Sequence, residues 1–139
     1  PAKDTWEQRI QAVTNGGMEA VVDATIERWI TTEGRNRLPG QVELIRQMIL
    51  NTPVQGFVAC SEAIKAMDMR ITNPKISAPT LVICGEQDTG TTPQQAKEIA
   101  DAIPNAKLEL ISDAAHLANI EQHEVFNRLL SHFLANLDG

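Results

Sequence analysis

The stretch Leu81 to Pro93, LVICGEQDTGTTP, runs four apolar residues into a glycine, sets a carboxylate three residues later, and then opens a helix. From Thr80 to Cys84 the run is continuously apolar and β-rich, the pattern of a strand covered on both faces. Thr92 as N-cap, Pro93 at the first helical position and Gln95 at the third come close to a capping box at the head of TPQQAKEIADAI. That helix turns Ala96, Ile99, Ala100 and Ile103 inward. AKLELIS is the next strand. A last helix, from about Glu121 to Leu137, carries Val125, Phe126, Leu129, Leu130, Phe133, Leu134 and Leu137, a stripe that must lie against a sheet. Strand, helix, strand, helix predicts parallel strands joined by a right-handed crossover, so the C-terminal half reads as α/β.

Upstream, residues 1 to about 70 read as helical throughout. DTWEQRIQAV starts on Asp4 or Thr5 as N-cap and stops at Asn15, Gly16 and Gly17. MEAVVDATIERWI comes next, with Val21, Val22, Ile26, Trp29 and Ile30 on one helical stripe. Gly34 to Gly40 reads as an Arg-rich loop. A third helix covers roughly Val42 to Leu50, and a fourth begins with Pro53 in its first turn. Pro74 and Pro79 flank a linker into the first strand.

The 139 residues fit one domain, given a usual size of roughly 100–200 residues. A formal charge of −6 and the lack of a basic run exclude the electrostatic footprint of a nucleic-acid binder. No apolar run approaches the ~18 residues of a membrane span. Cys60 and Cys84 lie in apolar-patterned segments without metal-ligand spacing, and no signal-peptide pattern opens the sequence, which together predict a reducing, cytoplasmic setting.

Parallel strands end on one side of a sheet, where open α/β sheets place their sites. Asp88 comes after the first strand and His116 after the second, each by about four residues on this reading. A carboxylate that accepts a hydrogen bond from an imidazole fixes its tautomer and leaves the other nitrogen free to take a proton from a nucleophile. Asp88 could instead be a turn residue, although Thr92 already supplies the cap. His116 could be a plain loop histidine, since Asn119 and Gln122 offer a capping pair for the last helix. Taken together at matching strand ends, the two favour catalysis. His123 and His132 read as structural or solvated.

A nucleophile is missing. No G-x-S-x-G turn occurs; Ser61 is mid-helix, Ser77 lies in the linker, Ser112 ends a strand and Ser131 is deep in the last helix. Cys60 shares a helix with Ser61, and Cys84 inside a strand behaves as a small apolar side chain. The simplest expectation places the nucleophile upstream of Pro1.

The pieces GGMEAVVDATIERWI, TPVQGFVACSEAI, MDMR, APTLVICGEQDTGTTP and DAAHLANIEQHEVFNRLLSHFL resemble the α/β-hydrolase superfamily, and more narrowly the 3-oxoadipate enol-lactonases. The resemblance corresponds to the C-terminal half of such an enzyme. It implies a helical cap over residues 1–70 and, over residues 71–139, the last part of the core, with two parallel strands and flanking helices. Asp88 matches the family acid and His116 the family base. Trp29 matches a cap tryptophan that faces substrate, and equally fits an ordinary core aromatic. The resemblance further implies a serine-type hydrolase of aromatic catabolism that opens 3-oxoadipate enol-lactone to 3-oxoadipate without metal or organic cofactor. Arg28, Arg35, Arg37, Arg46 and Arg70 are all candidates to meet a dianionic product. The nucleophile elbow, the oxyanion loop and the first strands are absent from the sequence, so these residues alone are expected to be inactive. A strand without its neighbour exposes backbone donors and acceptors, and pairing with an N-terminal half or self-association is expected. Other capped α/β-hydrolases, such as an esterase or a carbon–carbon hydrolase, and a nonenzymatic interaction module remain as alternatives.

Overall fold

Helix α1 (Lys3–Gly16) takes in both residues expected to cap it: Asp4 and Thr5 lie inside its first turns, in a computed structural model that describes residues 3–137. The helix runs through Gly16, and Gly17 ends it with φ of 70°, a left-handed geometry that costs glycine little. A 3-10 turn, Met18–Ala20, precedes helix α2 (Val22–Trp29), so the expected single helix is two pieces. Val21, Val22, Ile26 and Ile30 are buried as their spacing predicts, whereas Trp29 is only half-buried.

The segment read as a loop is mostly helix. Helix α3 (Thr32–Arg37) is capped by the Thr31 side chain, which accepts from the Gly34 N–H, and helix α4 (Pro39–Leu50) starts with Pro39 in its first turn. Gly34 points the wrong way because a mid-helix glycine normally signals a break. Here its lack of a side chain has another cause, since a Cβ would collide with the Glu121 carboxylate. Helix α5 (Val54–Ala66) begins one residue after Pro53, which serves as its cap and not as its first turn.

Two units emerge. Residues up to Glu27 with Pro39–Met69 form one, in which α1 packs on α5 and Lys65 bridges Glu7 at 2.6 Å and Glu62 at 2.7 Å. Arg28–Leu38 with the chain from Arg70 onward forms the other. In this second unit strand β1 (Leu81–Gly85) pairs in parallel with β2 (Lys107–Ile111), Leu81 opposite Lys107 and Gly85 opposite Ile111. Helix α6 (Pro93–Ala102) connects them and contacts both strands. Its capping box is complete: Thr92 accepts from the Gln95 N–H, and the Gln95 side chain accepts from the Thr92 N–H. Leu81, Val82 and Ile83 are half-buried and not enclosed, because the sheet among the described residues has only these two strands.

The expected last helix is α8 (His123–Ala135), and a short helix, α7 (Ala118–Glu121), precedes it with Gln122 between the two. The expected Asn119 and Gln122 caps are not used. Gln122 donates from its side-chain amide to the Asp113 carbonyl at 3.1 Å, and neither helix has a side-chain cap. Val125, Phe126 and Leu129 pack with Ile83 on the buried cluster of Ile111, Ala114 and Ala118. Leu130, Leu134 and Leu137 stay exposed, since the apolar stripe is wider than a two-stranded sheet can cover.

Candidate active site

Matched strand ends bring the loops after β1 and β2 to one edge. They are laced together there, with Glu86 N–H donating to the Ile111 carbonyl and Gln87 N–H to the Ala114 carbonyl, both at 2.9 Å. Gly85 makes this approach possible, because a Cβ would collide with the carbonyl oxygens of Ala114 and Ala115. In the second loop Asp113 turns the chain with φ of 54°, a conformation Asp tolerates better than most residues.

Asp88 and His116, 28 residues apart in sequence, meet at this edge, with His116 Nδ1 2.8 Å from Asp88 Oδ2. Asp88 is 5% exposed, while the His116 side chain remains 37% exposed. Burial by itself raises the pKa of Asp88. The Thr91 N–H, the His116 ring, the Thr91 hydroxyl and the Gly90 N–H together overcome that effect and hold the carboxyl below its ordinary value. The distances are 3.0 Å from Thr91 N and 2.8 Å from Gly90 N to Oδ1, and 2.7 Å from Thr91 Oγ1 to Oδ2. Asp88 is therefore both the turn residue and the partner of the imidazole, two roles that the sequence set against each other.

An ionised carboxylate only accepts hydrogen bonds, so the proton in the 2.8 Å contact sits on Nδ1 of His116. Nε2 is then the basic nitrogen. Thr91 Oγ1 lies 3.1 Å from the same Nδ1 and closes a triangle of three side chains. The Trp29 ring stacks on the imidazole with centroids 5.9 Å apart and planes 27° off parallel. The Leu117 N–H donates to the Trp29 carbonyl at 2.9 Å, which ties the residue after His116 to the tryptophan backbone.

Sequence reasoning did not single out Thr91, Thr31 or Glu121 as part of this layer. For Thr91 the signal was available: an acid with Gly and Thr two and three residues later favours a side-chain-to-backbone turn. For Glu121 it was subtler. That residue shares helical spacing with Ala118 and Val125, so it falls on the apolar face, where a carboxylate must find buried partners. Among the candidate arginines, Arg46 pairs with Asp23 at 2.7 Å, Arg35 donates to the Ile30 carbonyl at 2.7 Å, and Arg37 donates to the Glu121 carbonyl at 2.6 Å. Ser61 is buried and Cys60 exposed, both on α5 in the other unit, and Cys84 is buried in β1. His123 and His132 lie exposed on α8. Among the described residues no group of three or more His, Cys, Asp or Glu is placed to hold a metal ion, and no helix is long and apolar enough to cross a membrane.

Residues 3–122 match the family described as "alpha/beta hydrolase fold", and the chain belongs to that family. Its helices and two parallel strands match a C-terminal portion of the fold. The 3-oxoadipate enol-lactonase 1 of Acinetobacter baylyi is 32% identical over 135 residues, covering 97% of this chain and 50% of that protein. A solved enol-lactonase from Burkholderia xenovorans LB400 superposes with a TM-score of 0.92 at 35% identity, over 96% of this chain and 51% of its own. A thermophilic esterase from Thermogutta terrifontis does so with a TM-score of 0.88 at 28% identity, over 98% and 50% respectively. The chain thus spans about half the length of the relatives it matches.

Proposed function

We propose that this chain supplies the base and the orienting acid of a serine-type hydrolase acting on 3-oxoadipate enol-lactone. The observation that carries the reading is the 2.8 Å contact between His116 Nδ1 and a buried, ionised Asp88. The likeness to two enol-lactonases, one by sequence and one by structure, supports the choice of substrate. In the proposed reaction a serine hydroxyl, from polypeptide outside these 139 residues, attacks the lactone carbonyl as His116 Nε2 removes its proton. Asp88 holds the imidazole and stabilises the imidazolium. Collapse of the tetrahedral adduct breaks the ring carbon–oxygen bond, and His116 returns the proton to the departing enol oxygen. Water, activated by the same nitrogen, then hydrolyses the acyl-enzyme and frees the serine. The released enol tautomerises to 3-oxoadipate. Trp29, stacked on the imidazole, forms one wall of the substrate site. The half of the fold that bears the nucleophile pairs with this chain.

The test is turnover of purified enol-lactone by the full-length protein and its His116→Gln variant. Loss of at least about a thousandfold in kcat is expected, since removing one member of such a set is that costly. Unchanged turnover by the variant would reject the assignment. The likeness to the Thermogutta esterase favours one second reading, a broader carboxylesterase. Comparing kcat/KM for enol-lactone and for a simple aryl ester separates the two.

A further inference from the structure

Glu121 is 4% exposed and has no part in the chemistry above, yet each oxygen of its carboxylate holds a different segment. Oε1 accepts from the Thr31 N–H at 2.9 Å and from the Thr31 hydroxyl at 2.6 Å. Oε2 accepts from the Ala115 N–H at 2.7 Å. Ala115 immediately precedes His116, and Thr31 lies two residues beyond Trp29, whose ring stacks on His116. One carboxylate therefore ties the backbone of the histidine loop to the backbone of the segment that flanks the histidine. The Leu117 N–H to Trp29 carbonyl bond makes a second tie on the other side of His116.

The surroundings are shaped around this group. Gly34 lacks the side chain that would collide with Oε1, and Arg37 donates to the Glu121 main-chain carbonyl at 2.6 Å. The Thr31 hydroxyl donates to the carboxylate while accepting from the Gly34 N–H at 2.9 Å, so the same oxygen caps α3. A buried carboxylate is costly unless its lone pairs are matched, and a well-packed apolar side chain often does as well for stability. Stability alone thus gives little reason for a carboxylate here. Geometry gives one: an apolar group cannot accept N–H bonds from two segments, one of them 90 residues away.

We propose that Glu121 is the positioning residue for His116. It fixes the loop that carries the imidazole and the distance to Trp29, and so the direction in which Nε2 points. This rests on the reading of His116 as the base. Glu121→Gln keeps the shape but turns an amide NH2 toward either the Ala115 N–H or the Thr31 donors, a donor facing a donor.

The experiment reads the full-length protein by side-chain NMR, with the His116 ring signals identified by their loss in His116→Gln. The Trp29 ring current marks the His116 signals. In Glu121→Gln they should move toward unstacked values, and kcat should fall on the order of tenfold to a hundredfold with KM within about twofold. Thr31→Ser, which keeps the hydroxyl, should leave both readouts near the parent, and Thr31→Val should fall between. Parental His116 signals and kcat in a folded Glu121→Gln protein would overturn the proposal. If that variant does not fold, Thr31→Val decides it by the same two readouts, and parental values there overturn it. Retained turnover in His116→Gln would instead strike the hydrolase reading, while the ring-current shift still tests the positioning on its own.

Discussion

The Thr91 hydroxyl donates to Asp88 Oδ2 at 2.7 Å, the same oxygen that receives the His116 Nδ1 proton at 2.8 Å. Thr91 therefore shares the acceptor on which the imidazole depends, and it restricts the rotation of the carboxylate. Thr91→Val keeps the branched shape and removes this donor. The expected cost is about 1 kcal/mol of stability, the typical net worth of such a bond. Thr91→Ser should recover most of it. Urea denaturation of the three proteins checks the order, and equal midpoints for Thr91→Val and the parent would refute it.

Asp88 should also shape the acid response. Its folded pKa lies below the ordinary carboxyl value, because hydrogen bonds from Thr91, His116 and Gly90 outweigh the opposing effect of burial. The unfolded chain then binds its proton first as pH falls, so the contribution of Asp88 is full above about pH 4 and is lost as pH drops toward the lower folded value. Asp88→Asn removes that dependence. Stability measured between neutral pH and about pH 3 should therefore fall less steeply in the variant than in the parent. Parallel curves would show that Asp88 is not the group responsible.

Two glycines should respond oppositely to alanine. At Gly85 the added methyl collides with main-chain carbonyls of Ala114 and Ala115, which cannot swing aside as a flexible side chain would. Gly85→Ala should destabilise by about 3 kcal/mol and pry the two site loops apart. Gly56 is exposed within α5, and a methyl added there would meet no atom within 4 Å, so Gly56→Ala should stabilise by roughly 0.5–1 kcal/mol. Thermal melts of the pair test both signs at once.

The cysteines should differ in reactivity. Cys60 is exposed on α5, while Cys84 is buried in β1, and burial, with the nearby Asp88 charge adding to it, pushes its thiol up from the ordinary value. Alkylation of the native protein and subsequent peptide mass analysis should find Cys60 modified first and Cys84 only on unfolding. Comparable native labelling of Cys84 would contradict its placement.

The strands and the α6 capping box were legible in the sequence because they depend on neighbours a few residues away: an apolar run, a proline, a Thr-to-Gln spacing. The approach of Asp88 to His116 was legible as well, since parallel strands of equal length deliver their C-terminal loops to one edge. Gly34 shows the limit. Its local signal says break, and only the Glu121 carboxylate, 87 positions further along, explains why a helix there lacks a side chain. Glu121 and Gln122, at the junction of α7 and α8, likewise take their partners from Thr31, Ala115 and Asp113.

The sequence by itself determined the α/β order of the C-terminal half and the pair of residues just past its strands, since both arise from short-range periodicity and chain direction. Tertiary structure alone decided that Trp29 stacks on His116 and that Glu121 lies buried between two distant segments. Those contacts join residues far apart along the chain or turn on side-chain direction. No local pattern encodes them, because each exists only once the sheet has brought its loops together and burial has made every unmatched polar atom costly.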